Sequence, residues 1–178
     1  MDHLPLFILL ALLAEILGTV GGFGSSVFFV PIAAFFLDFH SVLGITALFH
    51  VSSNLTKIAL FRHGFDKQLI LYMGIPATIA VLIGAYFSKF VVSGGLELAL
   101  AIFLIVLSLV FLIFKNLSIE PTAKNSVIGG LLSGGIAGLI GTGGAIRGIT
   151  LAAFKIRPEI FIATSALIDL GVDSGRGV

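Results

Sequence analysis

The chain has no cysteine, so disulfides and thiolate metal sites are excluded. Charge is also scarce: Asp, Glu, Lys and Arg make up 11% of 178 residues, about half the share of an ordinary soluble domain. What charge there is clusters, and residues 16–37, 68–88, 98–114 and 125–146 carry none. The N-terminal Met1-Asp2-His3 has no Lys or Arg, so a cleavable signal peptide with a basic leader is not expected. Gly141-Thr142-Gly143-Gly144 lacks the Gly-Lys-Ser/Thr ending of a phosphate-binding loop. No basic patch suggests nucleic acid, and no motif calls for a cofactor or a metal ion.

Hydrophobic residues, at 58%, fill the gaps between the charges. A bilayer span needs roughly 20 apolar residues, and several of the neutral stretches qualify. A transmembrane barrel would show short alternating segments instead. The expected fold is therefore all-α: an integral membrane, polytopic helical bundle in contact with the lipid bilayer.

A glycine break occurs twice between apolar segments. It reads Gly18-Thr19-Val20-Gly21-Gly22-Phe23-Gly24-Ser25-Ser26 first and Gly138-Leu139-Ile140-Gly141-Thr142-Gly143-Gly144 second. An offset of 119 (141 − 22) aligns residues 22–54 with 141–173 without a gap. Seven of those 33 pairs are identical, and in so apolar a chain the positions matched matter more than the count. Glycine-interrupted hydrophobic segments at corresponding places in two halves point to the binding site of a secondary transporter.

The expected segments are a (4–17), b (25–37), c (41–61), d (69–87), e (96–114), f (126–140), g (145–154) and h (159–172). Segments a and f, at about 14–15 residues or 22 Å, fall short of a ~30 Å core. Each is expected to stop inside the membrane and return as b or g, a re-entrant hairpin. Irregular backbone at that depth is tolerated where it is buried in protein or lines a cavity. The alternative is that a–b and f–g span fully as discontinuous helices. With zero-crossing hairpins, c, d and e make three crossings and the second hairpin enters from the opposite side. One side then receives Arg62, Lys67, Lys115, Lys124, Lys155 and Arg157, and the other only Lys89. That bias fits the positive-inside rule, so the two units read as inverted repeats. The whole chain, 1–178, is read as a single transmembrane domain: repeat one about 4–114, incomplete repeat two about 126–178. Counterparts of d and e would fall near 188–233, so the chain is expected to be truncated, a fragment, or one piece of a split transporter.

A helix interrupted inside a bilayer exposes N–H groups at the start of the next half-helix, where the dipole favours an anion. Glycine lets a ligand approach that backbone closely. The candidate substrate site is Gly22, Phe23, Gly24, Ser25 and Ser26 at the first break, and Gly141, Thr142, Gly143 and Gly144 at the second. Arg147, three residues into g, adds a fork of donors for an oxyanion. An arginine in an apolar segment marks function by default, although it can also neutralise Asp169 or Asp173 and staple helices. Asn54 aligns with Asp173 and His50 with Asp169, each pair at i, i+4 on one helix face. Asn54 and Asp173 join the binding set. His50 and Asp169 are candidates for proton or ion coupling, with interhelical bonding as the competing role. Ser52, Ser53, Thr46, Thr164 and Ser165 read as such bonding groups. Glu15 reads as a carboxylate near the site or a partner for Lys57, and Lys57 as that partner or a snorkelling interface residue. Gly129, Ser133 and Gly134 read as close-packing positions; Phe28, Phe29, Phe35 and Phe36 as lipid-facing or core. Ser25 or Ser26 with His50 raises a serine-protease dyad on residue type alone.

The stretch Gly21-Gly22-Phe23-Gly24-Ser25-Ser26 through Val30-Pro31 resembles the first glycine motif of the sulfite exporter TauE/SafE family. Gly141-Thr142-Gly143-Gly144-Ala145-Ile146-Arg147-Gly148, continuing from Ile162 to Asp173, resembles its second and more specific one. The resemblance implies a multi-pass transporter of the prokaryotic inner (cell) membrane, moving sulfite- or organosulfonate-like anions on an ion or proton gradient. By position it implies roles for the glycine breaks, Arg147, Asn54 and Asp173. A Ser25-Ser26 pair stands where a third glycine is usual, and the final spans of the family are missing. The expected activity is secondary transport of a small anionic substrate by alternating access, with no catalytic residues; a homo-oligomer is left open. The competing readings are an inactive fragment or interaction subunit needing a second chain, and a small-anion channel.

Overall fold

The computed structural model describes residues 4–22, 24–61, 64–114 and 117–176. These form a helical bundle: α1 (Leu4–Gly21), α2 (Ser26–Ala34), α3 (Phe39–Leu60), α4 (Lys67–Leu69), a π-helical turn (Ile70–Gly74), α5 (Ile75–Ser88), α6 (Ser93–Ile113), α7 (Ala123–Ile140), α8 (Gly144–Ala153) and α9 (Pro158–Arg176). Lys67–Ser88 runs as one continuous helix. That helix, α1, α6 and α7 are each long and apolar enough to cross a membrane.

Local chemistry sets the ends. Asp38 accepts from the Ser41 N–H at 3.1 Å and starts α3. Asp66 starts α4 by accepting from the N–H groups of Gln68 and Leu69. Thr122 accepts from the Asn125 N–H at 3.2 Å and starts α7 in the polar loop. The π turn ends two residues before Pro76, which lacks an N–H and crowds the carbonyl one turn back. A wider turn there relieves both demands.

Two of the expected segments were drawn too short. α1 runs to Gly21 and α7 begins at Ala123, so each has 18 residues, about 27 Å. The expectation that they are too short to span is overturned. Gly18 stays helical because the chain needs its missing side chain: a Cβ there would run into the backbone of Ser25. The turn away comes only at Gly22 and Gly24, with φ of +74° and +80°. α7 gains a turn at its other end because Thr122 caps it ahead of the apolar run.

Packing joins the two halves of the sequence. α5 lies along α7, α3 along α9, and α2 and α8 touch. Small residues allow the closest of these approaches: a Cβ at Gly130 or Gly134 would collide with the backbone of Met73 or Ala77. One apolar core gathers Ala14, Phe29, Val30, Phe39, Val42 and Ile140 from α1, α2, α3 and α7, with Leu96 and Leu100 of α6. A second gathers Met73, Ala77, Val81, Leu151, Ile168 and Val172 from the π turn, α5, α8 and α9. Phe29 is core and Phe35 is exposed, so the phenylalanines divide between the two roles foreseen for them.

Candidate functional site

Both breaks rest on glycines in the left-handed region, which a side chain strains. Gly22 and Gly24 do this between α1 and α2, and Gly141, at +81°, between α7 and α8. Gly141 ends α7 by donating its N–H to the Ala137 carbonyl at 3.0 Å. Each short helix then folds against its own predecessor, α2 on α1 and α8 on α7. The breaks also meet each other: a Cβ on Gly24 would lie 3.2 Å from the Gly144 Cα.

Around this junction the structure assembles a buried polar cluster from helices distant in sequence. Arg147, 2% exposed, projects from the first turns of α8. Its Nε donates to Ser165 Oγ at 3.0 Å and its Nη2 forms an ion pair with Asp169, both on α9. Asn54 Nδ2 donates to Asp173 Oδ2 at 3.1 Å, so two residues aligned by the 119-residue offset touch across the α3–α9 contact. His50 Nδ1 lies 3.7 Å from the same oxygen, and His50 Nε2 lies 3.0 Å from Ser25 Oγ. Arg176 Nη2 approaches Asp173 Oδ1 at 3.5 Å, and its Nη1 donates to the Ala137 carbonyl at 3.1 Å.

A cavity of about 30 Å³ opens beside this cluster, room for water-sized occupants. Gly18, Thr19, Gly22, Gly24, Asn54, Lys57, Phe161, Ile162, Ser165, Ala166 and Asp169 line it. Arg147 stands behind Ser165 and Asp169 rather than in the lining. Lys57 Nζ is 2.6 Å from Glu15 Oε1, which also accepts from Ser53 Oγ at 2.5 Å and Thr19 Oγ1 at 3.2 Å. Glu15 therefore has the partner foreseen for it, and Lys57 is held inward rather than snorkelling.

The candidates thus converge, with distinctions among them. Gly22, Gly24, Asn54 and Asp169 line the cavity. Arg147, His50, Ser25 and Asp173 form its polar surroundings. Gly141, Thr142, Gly143, Gly144 and Ser26 are buried at the breaks. Phe23 lies outside the described residues, as do Arg62 and Lys115 of the charge-bias argument. Ser25 and His50 do meet, but Ser25 is 3% exposed and the His50–Asp173 separation exceeds a hydrogen bond. Thr164 bonds across elements, accepting from the Asp66 N–H, whereas Thr46 and Ser52 donate to carbonyls of their own helix, Val42 and Leu48. Ser165 does more, since it both holds Arg147 and lines the cavity. The residue missed from the sequence is Arg176. Extending the offset by three residues aligns it with Lys57 (57 + 119 = 176), and that was the available signal.

A multi-pass bundle of apolar helices, with charged side chains gathered at two glycine-broken helix junctions, is the arrangement of a membrane transport protein. The chain belongs to the sulfite exporter TauE/SafE family, whose family model matches residues 7–174. It is also 29% identical over 185 residues to a probable membrane transporter protein of Methanocaldococcus jannaschii. That similarity covers 95% of this chain and 67% of the relative. No solved structure matches the chain.

Proposed function

We propose that this protein is a secondary transporter that moves a small sulfur-containing oxyanion, sulfite or an organosulfonate, across the cytoplasmic membrane by alternating access. The observation that carries the reading is the junction itself: Gly24 against Gly144, with Arg147 and Asp169 buried beside a small polar cavity. The anion is bound there by backbone N–H groups of the breaks and by the Arg147 fork. The Asp169 carboxylate occupies part of that fork, so the anion must compete with it. Protonation of Asp169 removes the competitor, which makes Asp169 the coupling residue, while His50 serves Asp173 in the same way.

The two units are inverted repeats in this reading. Repeat one covers about 4–114 and repeat two the part of this chain from about 126 onward. The break helices α2 and α8 return as re-entrant arms. If each hairpin makes no net crossing, the sequence assigns six Lys or Arg residues to one side and only Lys89 to the other, which supports a cytoplasmic basic side.

Reconstitution into liposomes tests the function. Sulfite flux coupled to a proton or sodium gradient, lost in Arg147→Gln, is expected. Flux that persists unchanged in Arg147→Gln overturns the assignment of the site, and uncoupled flux identifies a channel instead.

A further inference from the structure

Beside the Asn54–Asp173 bridge lies a buried arginine, Arg176, that the proposed site does not use. The Arg176 side chain is 3% exposed. Its Nη1 is bonded to the Ala137 carbonyl, but its Nε and Nη2 make no hydrogen bond. A guanidinium in a dry interior calls for acceptors at all of its N–H groups, and Asp173 Oδ1 at 3.5 Å gives only charge balance. The neighbouring Thr142 Oγ1 is likewise buried without a hydrogen bond. Gly141 keeps this corner open: a Cβ there would sit 3.7 Å from Arg176 Nη1.

The 119-residue offset supplies an independent observation. Applied to Gly18, Gly22, Asn54 and Lys57 of the cavity lining, it gives Ala137, Gly141, Asp173 and Arg176; Asp169 corresponds to His50. These counterparts of the lining, Ala137, Gly141 and Asp173, meet at the Arg176 guanidinium. The chain therefore builds the same polar half-site twice, once around a cavity and once around Arg176.

We propose that Arg176, with His50, Asp173 and the α7 C-terminal turn at Gly141, forms a second oxyanion subsite. The anion passes between the two half-sites, and the Asn54–Asp173 hydrogen bond is the partition that it crosses. This rests on the transport reading above. Arg176 supplies two N–H donors to an oxygen acceptor, the geometry that favours a planar or pyramidal oxyanion over a halide.

The test is calorimetric titration of the purified chain in detergent with sodium sulfite, against sodium chloride at equal ionic strength. Two binding events are expected in the wild type. Arg176→Gln should remove the weaker and Arg147→Gln the tighter. Arg176→Lys, which keeps the charge but not the fork, should weaken the second event by about tenfold. A single event in the wild type overturns the second subsite, whichever arginine it depends on. If it is lost in Arg147→Gln and unchanged in Arg176→Gln, the transport reading stands. Two events that survive unchanged in Arg176→Lys also overturn the subsite. This variant and the wild-type stoichiometry decide the matter even if Arg176→Gln does not fold. No event in a cooperatively folded wild type overturns both readings.

Discussion

The first and second breaks share a backbone device but differ in what surrounds them. At the first, Gly21 is exposed, Gly22 and Gly24 are half-buried, and the nearby charges are Glu15 and Lys57, each about one-fifth exposed. At the second, Gly141 through Ala145 are all buried and Arg147 is sealed against Asp169. Ser25 of the first break meets a histidine, whereas α8 of the second carries an arginine of its own. Duplicated segments thus keep the glycines, which the turn requires, and diverge in side chains, which set the polarity. The second break is the more deeply buried and the first the more exposed.

The contrast is broken most severely at Arg147. Arg147→Gln should abolish transport and leave Asp169 as an unpaired carboxylate, at a stability cost of about 3–5 kcal/mol. The double variant with Asp169→Asn should recover most of that stability but no transport. Thermal unfolding alongside liposome flux checks both, and recovered flux would show that Arg147 only staples helices. Next come the glycines. Gly141→Ala must adopt a left-handed conformation and meet Leu43, so it should lose about 1–3 kcal/mol; Gly24→Ala, against the Gly144 backbone, should behave alike. Gly135→Ala, with nothing within 4 Å of its Cβ, should be neutral or stabilising by about 1 kcal/mol. Equal costs at Gly135 and Gly141 in denaturant titrations would refute the backbone argument.

A smaller change is expected at Ser25→Ala, which leaves His50 Nε2 without its partner at a cost of about 1 kcal/mol. The smallest effect belongs to Asp38, outside the spans. Hydrogen bonds from the Ser41 side chain and N–H hold its carboxyl below the usual aspartate range. Because the folded state depresses this pKa, its contribution is present at neutral pH and fades as pH falls through the folded-state value. Asp38→Ala should therefore lower the melting temperature slightly at pH 7 and negligibly in strong acid, while Asp38→Asn keeps the cap.

Much of this arrangement could be read in advance. Neutral runs gave the helices, and the paired glycines gave the places where they break. The ends were less legible. Gly18 looks like a breaker in sequence, yet it remains helical, and its missing side chain leaves room for the Ser25 backbone. Whether a glycine bends the chain or admits a neighbour depends on what lies across from it. Ser165 read as a bonding group, and only its approach to Arg147 and the cavity distinguishes it from Thr164, which does serve as one. Arg176 was missed altogether, and its burial is evident only in the fold.

Composition and periodicity determined that the chain is a helical membrane protein, because about 20 apolar residues cannot be paired with water and must satisfy their own backbone. They also determined where the breaks fall, since left-handed backbone is nearly free for glycine and costly for other residues. Pairing was decided only in three dimensions. Arg147 chose Asp169 over Asp173, Asn54 met its own counterpart, and Lys57 turned inward to Glu15. A buried charge takes the partner that helix packing brings within reach, and that distance is set by contacts among α3, α8 and α9, far apart along the chain.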